Sequence, residues 1–375
     1  MAWSGRNVTD AVAQSIGSPE QAMQVLPYEV DKSSWASGGV CHADRPAIPP
    51  ESALWSRPRD PPGVGEVNKM RQGLRRHAAV LFDYARGRQA LLSVAQPALG
   101  AWLAAGGFPG LRITLLGLLA ATSGFLSVFA LNDLLDRHAD REALTLAAHP
   151  QEASQGFDLD VAYLRHPLAH GALSLREGVM WVASLGLVSL VCAFLIRPVC
   201  ALLFAVCVVM EALYCGLRRR SWLKFIPAGV MVGCGGLAGW LAVGTLDRNA
   251  LLFFALLAVW EVAGRNLSND LADRGVDGPL GITTVATVFG PKASAAGIVV
   301  GAALMPFLAG LQQGTMPLRA LLALAAVWTM TLPALRLSRH IGDPEAQRYF
   351  NSASLLPPLA FLVALAEYAL RLVVG

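Results

Sequence analysis

The feature that most constrains this chain is a succession of nine long apolar stretches joined by polar segments. Each stretch approaches the about 20 mainly apolar residues that a helix needs to cross a bilayer. Over the whole chain 54% of residues are hydrophobic and 15% are charged, whereas about a quarter would be charged in a soluble domain. The sequence therefore predicts an all-α membrane protein, a bundle of nine transmembrane helices. The predicted spans are 88–106, 110–131, 178–196, 198–216, 226–245, 249–268, 293–311, 318–336 and 352–373.

The distribution of basic residues orients this predicted bundle. All but five of the Lys and Arg residues from Lys69 onward fall on one side of the membrane. Because cytoplasmic loops carry an excess of Lys and Arg, we expect this side and the N-terminus to be cytoplasmic, in a multi-pass protein of a bacterial cell membrane. The net charge of +4 then reflects topology. Without a basic patch interleaved with stacking aromatic residues, no nucleic-acid partner is expected.

Residues 1–75 differ in composition from the rest of the chain. They are rich in Pro, Gly and Ser and show no sustained periodicity. Such a segment cannot bury enough apolar surface to offset the entropy lost on ordering. We predict a disordered, Pro-rich cytoplasmic tail over 1–75 and a transmembrane domain over 76–375. At the boundary, residues 68–86 form either a short basic amphipathic helix at the membrane surface or a solvated linker.

The string Asn-Asp-Leu-x-Asp-Arg-x-x-Asp occurs twice, each time after an apolar stretch. On a helix that advances about 100° per residue, the Asn and the three Asp side chains of each copy share one face. A single Asp-rich helix end is readily explained as a solvated cap. Two near-identical copies are not, because a cap requires only one acceptor. Box 1 comprises Asn132, Asp133, Asp136 and Asp140, and box 2 comprises Asn269, Asp270, Asp273 and Asp277.

Two such faces at one membrane boundary form a cage of carboxylates. Ionised groups lose hydration when they leave water, and like charges repel, so the cage requires compensation by a cation. A ligand set of oxygen atoms, without His or Cys at matching positions, favours Mg²⁺, which typically bridges carboxylates to substrate phosphates. We therefore predict that the six aspartates of the two boxes bind Mg²⁺ and are catalytic.

Polar residues close to the boxes are candidates for binding a substrate. Arg165 and the neighbouring His166 would present donors to a phosphate, although Arg165 taken alone is better explained as a loop charge. Glu211, Tyr214 and Arg218 form one stripe on a predicted helix and point towards the same membrane face as the boxes. The basic residues Arg219, Arg220 and Lys224 follow this stripe.

Two further groups of polar residues lie within predicted helices. Glu261 and Arg265 are spaced i, i+4 on the helix that carries box 2. They either form an internal ion pair or contact a reacting group. Four of the Gly residues in the span 226–245 are most simply a close helix-packing face, and these are Gly233, Gly235, Gly236 and Gly239. Candidates by position for binding an acceptor on the first helix are Arg86, Arg88, Gln89 and Gln96.

Taken together, these motifs resemble the UbiA superfamily of intramembrane prenyltransferases. Members carry an Asn-Asp-x-x-Asp-x-x-x-Asp box after the second of nine helices and another Asp box after the sixth. Further matches are Pro-Leu-x-x-Gly at 167–171, Tyr-x-x-Leu-Arg-Arg at 214–219 and Gly-Ile-Thr-Thr-Val-Ala at 281–286. The resemblance spans residues 85–373. The chain departs from the pattern at His166, where members have Arg, and in a longer stretch between box 1 and Pro167.

The resemblance implies an enzyme that ionises an isoprenyl diphosphate and transfers the prenyl group to an aromatic or otherwise nucleophilic, lipophilic acceptor. The six aspartates would hold two Mg²⁺ ions, oriented by Asn132 and Asn269. The diphosphate would be contacted by Arg165 or His166 and by Tyr214, Arg218 and Lys224, and we include Glu261 and Arg265 among the substrate-binding candidates. The alternative is a UbiA-type terpene cyclase, in which the chain attacks itself. A transporter is disfavoured because the acids concentrate at one membrane face.

Overall fold

A computed structural model describes residues 64–146, 164 and 166–374 of the chain. In this part of the chain all regular secondary structure is helical. The chain divides after Lys69, and the described part of the first unit is the start of α1. The helices are α1 Val64–Tyr84, α2 Gly87–Ser93, α3 Ala95–Ala105, α4 Leu111–Leu146, α5 Leu175–Ile196, α6 Pro198–Leu217, α7 Phe225–Leu241, α8 Arg248–Val259, α9 Leu267–Ala272, α10 Arg274–Asp277, α11 Val285–Val288, α12 Pro291–Gly310, α13 Met316–Ala326, α14 Leu332–Arg339, α15 Asp343–Ser354 and α16 Leu356–Val374.

Eight helical segments of the described residues are long and apolar enough to cross a membrane. The prediction of an all-α membrane protein is confirmed. The predicted number of spans was nine, and the predicted span without a counterpart among the eight is 88–106. There the chain forms two short helices, α2 and α3, which meet at Val94. Pro97 explains the break, because it has no N–H to donate to the carbonyl of Ser93 and its ring crowds that carbonyl. Residues 1–63 of the predicted tail lie outside the described residues. Helix α1 begins at Val64, before the predicted boundary at 75.

Local sequence signals account for several helix starts. Helix α5 begins with a capping box, in which the Ser174 side chain accepts from the Glu177 N–H and the Glu177 side chain accepts from the Ser174 N–H. Helices α6 and α12 begin with Pro198 and Pro291, which cost no hydrogen bond at a first helical position. The starts of these three helices therefore follow from the local sequence.

The buried core of the bundle lies among α3, α7, α8 and the helices from α12 to α16. Its largest fully buried side chains include Trp240, Phe253, Trp260, Met305 and Met330. The indole N–H of Trp260 donates to the Ala353 carbonyl at 2.8 Å, so its one polar atom is satisfied. Large apolar side chains on the opposite helix faces are exposed, as expected for residues that face lipid.

The Gly residues of α7 differ in their packing. At Gly239 an added Cβ would overlap the backbone of Pro97, so close helix contact requires glycine there. At Gly236 an added Cβ would overlap the end of the Leu257 side chain, which would have to move. At Gly235 nothing lies within 4 Å of an added Cβ, and this residue lines a cavity. The predicted single packing face is therefore only part of the explanation.

Candidate functional site

Box 1 lies on the last turns of α4, which continues as a regular helix to Leu146. The continuous helix places its Asp side chains on one face, as predicted. Asp133 and Asp140 are buried and, with His166, offer ligand atoms that lie within 4.8 Å of one another. Box 1 thus presents two carboxylates to a common point. We refer to the end of the bundle that carries Asp133, Asp140 and His166 as the box end.

His166 lies directly against these carboxylates. Its Nδ1 is 2.9 Å from Asp133 Oδ1 and 2.9 Å from Asp140 Oδ2. Its φ of 51° is in the left-handed region, which is strained for a residue with a Cβ. Burial lowers the pKa of His166, but the hydrogen bonds and charges of the two aspartates outweigh it, and the net direction is upward. The two aspartates therefore favour the charged form of His166, which is held in a constrained position. Arg165 lies outside the described residues.

Arg218 joins box 1 to the loop that follows box 2. Its Nη1 lies 2.8 Å from Asp136 Oδ2 and 3.4 Å from Asp140 Oδ1. Burial lowers its pKa, but Asp136 and Asp140 raise it further, so the guanidinium stays charged. Its carbonyl accepts from the Thr283 N–H at 2.9 Å. The two segments identified from sequence at 214–219 and 281–286 are thereby tied together.

Box 2 differs from the predicted geometry. The helix is interrupted at Asp273, which has φ −87° and ψ 2° and separates α9 from α10. The box is therefore not carried by one uninterrupted helix, but i→i−4 hydrogen bonds continue across the break, from the Asp273 N–H to the Asn269 carbonyl and from the Asp277 N–H to the Asp273 carbonyl, both at 2.9 Å. Asn269 donates to Asp273 Oδ2 at 3.0 Å, the i, i+4 contact between neighbouring helical turns. Burial raises the pKa of Asp277 to about 7, with Lys224 opposing and Asp273 and Asp270 adding to the shift.

Lys224 neutralises the most buried carboxylate of box 2. Its Nζ lies 2.7 Å from Asp270 Oδ1, and the two side chains are 5% and 4% exposed. The Tyr214 hydroxyl lies 3.3 Å from the same Nζ. Tyr214 also accepts from Asn266 Nδ2 at 3.4 Å, and the buried Asn266 Oδ1 has no hydrogen-bond partner among the described residues. Asn266 was missed by sequence reasoning, because it lies outside the repeated motif.

The Asn132 side chain forms hydrogen bonds with Glu211 and Arg86. Its Nδ2 donates to Glu211 Oε1 at 2.6 Å, and its Oδ1 accepts from Arg86 Nη2 at 3.2 Å. Glu211 is buried within α6. In the structure, then, Asn132 connects box 1 to the stripe on α6 and to the segment between α1 and α2.

The sequence suggested that the carboxylates need compensating charge, and the structure supplies part of it from His166, Arg218 and Lys224. A metal nevertheless fits the donor set. Asp133 Oδ2 is buried and has no hydrogen-bond partner in the part of the chain that the structure describes. A buried carboxylate oxygen of this kind is a ready ligand for a hard cation.

An apolar cavity of about 480 Å³ lies beside the box end. Phe125, Val128 and Phe129 of α4 line it, the last of these one turn before box 1. At its rim, Leu91, Phe108 and Leu118 are exposed on the outer surface of the bundle, so the cavity is bordered by side chains that face lipid.

Glu261 and Arg265 also line this cavity. They lie in a π-helical segment, Trp260–Asn266, between α8 and α9. Arg265 Nη1 is 3.6 Å from Glu261 Oε2, and its guanidinium carbon lies 5.4 Å from the ring centres of both Trp260 and Phe350. The two residues therefore form a buried ion pair at the wall of the cavity.

The comparisons with known proteins agree on one family. The model of the UbiA prenyltransferase family matches residues 93–356. The chain is 28% identical over 182 residues to a protoheme IX farnesyltransferase from Legionella pneumophila (strain Paris), covering 48% of this chain and 56% of the relative. It is 30% identical over 191 residues to a 4-hydroxybenzoate octaprenyltransferase from Aromatoleum aromaticum, covering 50% and 58%. The matched part thus spans little more than half the length of these relatives.

Solved structures show the same fold. A UbiA homolog from Aeropyrum pernix K1 superposes with a TM-score of 0.59 at 20% identity, covering 74% of this chain and 98% of that one. A UbiA homolog from Archaeoglobus fulgidus bound to DMAPP and Mg²⁺ superposes with a TM-score of 0.56 at 17% identity, covering 76% and 98%. Since the family model matches most of the membrane helices, the chain belongs to the UbiA prenyltransferase family.

Proposed function

We propose that this protein is a Mg²⁺-dependent intramembrane prenyltransferase, which ionises an isoprenyl diphosphate and transfers the prenyl group to a lipophilic or aromatic acceptor. The observation that carries the proposal is the position of Arg218 between box 1 and the loop that follows box 2, at the end of a helix bundle and beside an apolar cavity. Arg218 pairs directly with Asp136 and Asp140, and its charge also acts on Asp277 of box 2.

The aspartates of the two boxes would hold Mg²⁺. The ion would neutralise diphosphate oxygens and so stabilise the leaving group. The donors available to the remaining phosphate oxygens are the imidazole of His166, the guanidinium of Arg218 and the ammonium of Lys224. In the structure each of these groups pairs with an aspartate, so each already lies where a diphosphate bound to the boxes would arrive. Arg165 belongs to this set by sequence position alone.

The reaction breaks the allylic C–O bond, and its electron pair leaves with the diphosphate. The allylic carbon then bonds to a nucleophilic atom of the acceptor, which loses a proton to the released diphosphate. Three of the five Phe residues that line the cavity would stabilise the allylic cation through their rings, while the apolar walls exclude water that would otherwise capture the cation. These residues are Phe125, Phe129 and Phe204.

The relatives support this assignment. Two carry names that state prenyl transfer, one a farnesyltransferase and the other an octaprenyltransferase, and one solved homolog is bound to DMAPP and Mg²⁺. The acceptor and the prenyl diphosphate would reach the cavity from the bilayer past its exposed rim. By the positive-inside rule we place the box end at the cytoplasmic face of a bacterial cell membrane.

The test is to incubate the purified full chain with Mg²⁺ and prenyl diphosphates of several lengths, with and without acceptors, and to identify the products. We expect prenylated acceptor, and release of diphosphate that depends on Mg²⁺. Cyclic hydrocarbon or alcohol formed without an acceptor would replace the transferase by the cyclase. Absence of diphosphate release from every substrate would overturn both.

The role of Arg165 and His166 is tested separately. If Arg165 binds the diphosphate, Arg165→Ala raises KM for the prenyl diphosphate about tenfold or more and His166→Ala does little; if His166 binds it, the order reverses. Arg220→Ala is the matched control, since Arg220 is an exposed basic residue near the box end. Equal small effects in all three variants would remove both residues from the diphosphate site.

A further inference from the structure

His166 brings a nitrogen atom into the ligand set of box 1. The repeated Asp motif alone offers oxygen atoms, and a set of oxygen ligands without His or Cys favours Mg²⁺. In the folded chain, however, His166 Nδ1 lies 2.9 Å from Asp133 Oδ1 and 2.9 Å from Asp140 Oδ2. These three side chains form a group that could hold a metal ion. Box 1 therefore offers a mixed set of nitrogen and oxygen ligands.

The spacing of the three atoms fits a single ion. Neighbouring ligands of an octahedral ion lie about 3.0 Å apart when each is about 2.1 Å from the metal. Both distances from His166 Nδ1 match this separation. A proton on Nδ1 accounts for the same spacing, because ionised carboxylates only accept hydrogen bonds. A metal ion takes the place of this proton, since His binds metals in its neutral form, and the Nε2–H remains a donor for a phosphate oxygen.

Asp133 gives a separate indication of a cation. The residue is 5% exposed, and its Oδ2 has no hydrogen-bond partner among the described residues. Buried polar atoms are nearly always paired, and an ionised carboxylate is costly to bury without compensation. A divalent ion bound at Oδ1 compensates the charge of the whole carboxylate without having to reach Oδ2.

The ion can enter from the side of the imidazole. The His166 side chain is 25% exposed, whereas the side chains of Asp133 and Asp140 are 6% and 4% exposed. The imidazole is therefore the outermost of the three groups. Its rotation admits an ion from solvent to Asp133 Oδ1 and Asp140 Oδ2, and the bundle around the two aspartates does not have to open.

We propose that His166 Nδ1 is a direct ligand of the metal at box 1, together with Asp133 and Asp140, and that this site prefers a divalent transition-metal ion to Mg²⁺. Imidazole nitrogen suits transition metals, whereas Mg²⁺ takes oxygen ligands. An Arg at this position could not bind a metal, because its guanidinium stays protonated and has no acceptor. This inference rests on the proposed function, because it specifies the metal of the same site.

The first test detects the nitrogen ligand itself. The full chain in lipid nanodiscs is stripped of metal with EDTA and desalted. Mn²⁺ is then added below the protein concentration and afterwards in excess, and pulsed electron paramagnetic resonance reports nitrogen atoms bonded to the ion. The variant is His166→Asn, because Asn removes the imidazole and tolerates the φ of 51° at this position. The control is His170→Asn, which replaces an exposed histidine of the same segment.

We expect imidazole nitrogen coupled to Mn²⁺ in the wild type and in His170→Asn, and its loss in His166→Asn. Wild-type protein that contains ¹⁵N-labelled histidine should show ¹⁵N coupling instead, which identifies a histidine ligand even if the variant does not fold. Absence of nitrogen coupling from the wild type at both Mn²⁺ concentrations would overturn the proposal. Persistence of the coupling in folded His166→Asn would do the same.

The second test measures the preference between metals. Dissociation constants for Co²⁺ and Mg²⁺ come from displacement of Mn²⁺ in the same nanodiscs. The wild type should bind Co²⁺ more tightly than Mg²⁺, and this preference should fall about tenfold or more in His166→Asn, because it depends on the imidazole nitrogen. His170→Asn should keep it. An unchanged preference in His166→Asn, with a raised KM for the prenyl diphosphate, would assign the imidazole to the diphosphate and overturn the proposal.

Diphosphate release from geranyl diphosphate by the wild type, measured with Mg²⁺ and with Co²⁺, separates this inference from the proposed function. Release together with nitrogen coupling supports both. Release without nitrogen coupling overturns the ligand role of His166 alone. Nitrogen coupling without release under either ion overturns the proposed function and leaves the metal site standing.

Discussion

Replacing Lys224 by Met should destabilise the metal-free protein strongly. The Lys224 ammonium lies 2.7 Å from Asp270 Oδ1, and the side chains are 5% and 4% exposed. At an effective dielectric constant of about 20, unit charges this close attract by about 6 kcal/mol. Removing the lysine leaves Asp270 buried without its partner, although the charge of Arg218 still acts on it. We therefore expect the free energy of unfolding to fall by about 3–5 kcal/mol.

The assay is unfolding of the detergent-solubilised protein by SDS titration in the presence of EDTA. The double variant Lys224→Met/Asp270→Asn should recover most of the loss, because it removes both charges. Arg219→Met is the control. The side chains of Arg219 and its partner Glu142 are 45% and 55% exposed, so we expect the free energy of unfolding to fall by at most about 1 kcal/mol. Mg²⁺ should restore more stability to Lys224→Met than to the wild type. A loss below about 1 kcal/mol in Lys224→Met, or no recovery in the double variant, would refute this reasoning.

Three further outcomes follow from the structure. Gly235→Leu should fold at least as well as the wild type, since nothing lies within 4 Å of a Cβ there and glycine costs about 1 kcal/mol in a helix. The added side chain occupies the cavity, so kcat/KM for longer prenyl diphosphates should fall relative to that for geranyl diphosphate, and an unchanged ratio would contradict the cavity's role. Gly239→Leu, which would overlap the Pro97 backbone, should instead lower the free energy of unfolding by about 1–3 kcal/mol. In metal-free buffer, the pKa of Asp277 is raised to about 7 in the folded protein from an ordinary value near 3.8. Because the folded state holds this proton more tightly than the unfolded state, the free energy of unfolding should decrease as pH rises from about 4 towards 7. Asp277→Asn should flatten that slope.

Much of the architecture follows directly from the sequence. A segment that crosses a membrane must satisfy its backbone hydrogen bonds internally, as a helix does, and its side chains must be mainly apolar, so each span is visible as a long apolar run. Box 1 could be placed on a helical face for a related reason: α4 continues without a break through Asp140. The repetition of the Asp string was informative because two copies are difficult to explain as caps.

Other features depend on tertiary contacts that spacing does not encode. The interruption at Asp273, in the middle of box 2, has no Pro or Gly at that position to signal it. The pairing of Lys224 with Asp270 joins residues 46 positions apart, so the local pattern indicated a need for charge compensation but not the side chains that provide it. Gln96 was a candidate by position only, and its burial in α3 depends on the helices that pack around it.

The central claim is that both Asp boxes act together on a prenyl diphosphate, and the most direct test is Mg²⁺-dependent diphosphate release by Asp133→Asn and Asp273→Asn. The first variant alters the carboxylate with the unpartnered buried oxygen, and the second alters box 2 without removing the partner of Lys224. Glu142→Gln is the control, an exposed carboxylate near the box end. We predict that each Asp variant, folded as judged by its circular dichroism, releases diphosphate at about one hundredth of the wild-type rate or less, while Glu142→Gln stays near wild type. Retention of more than about a tenth of the rate in either folded Asp variant would contradict the joint role of the boxes.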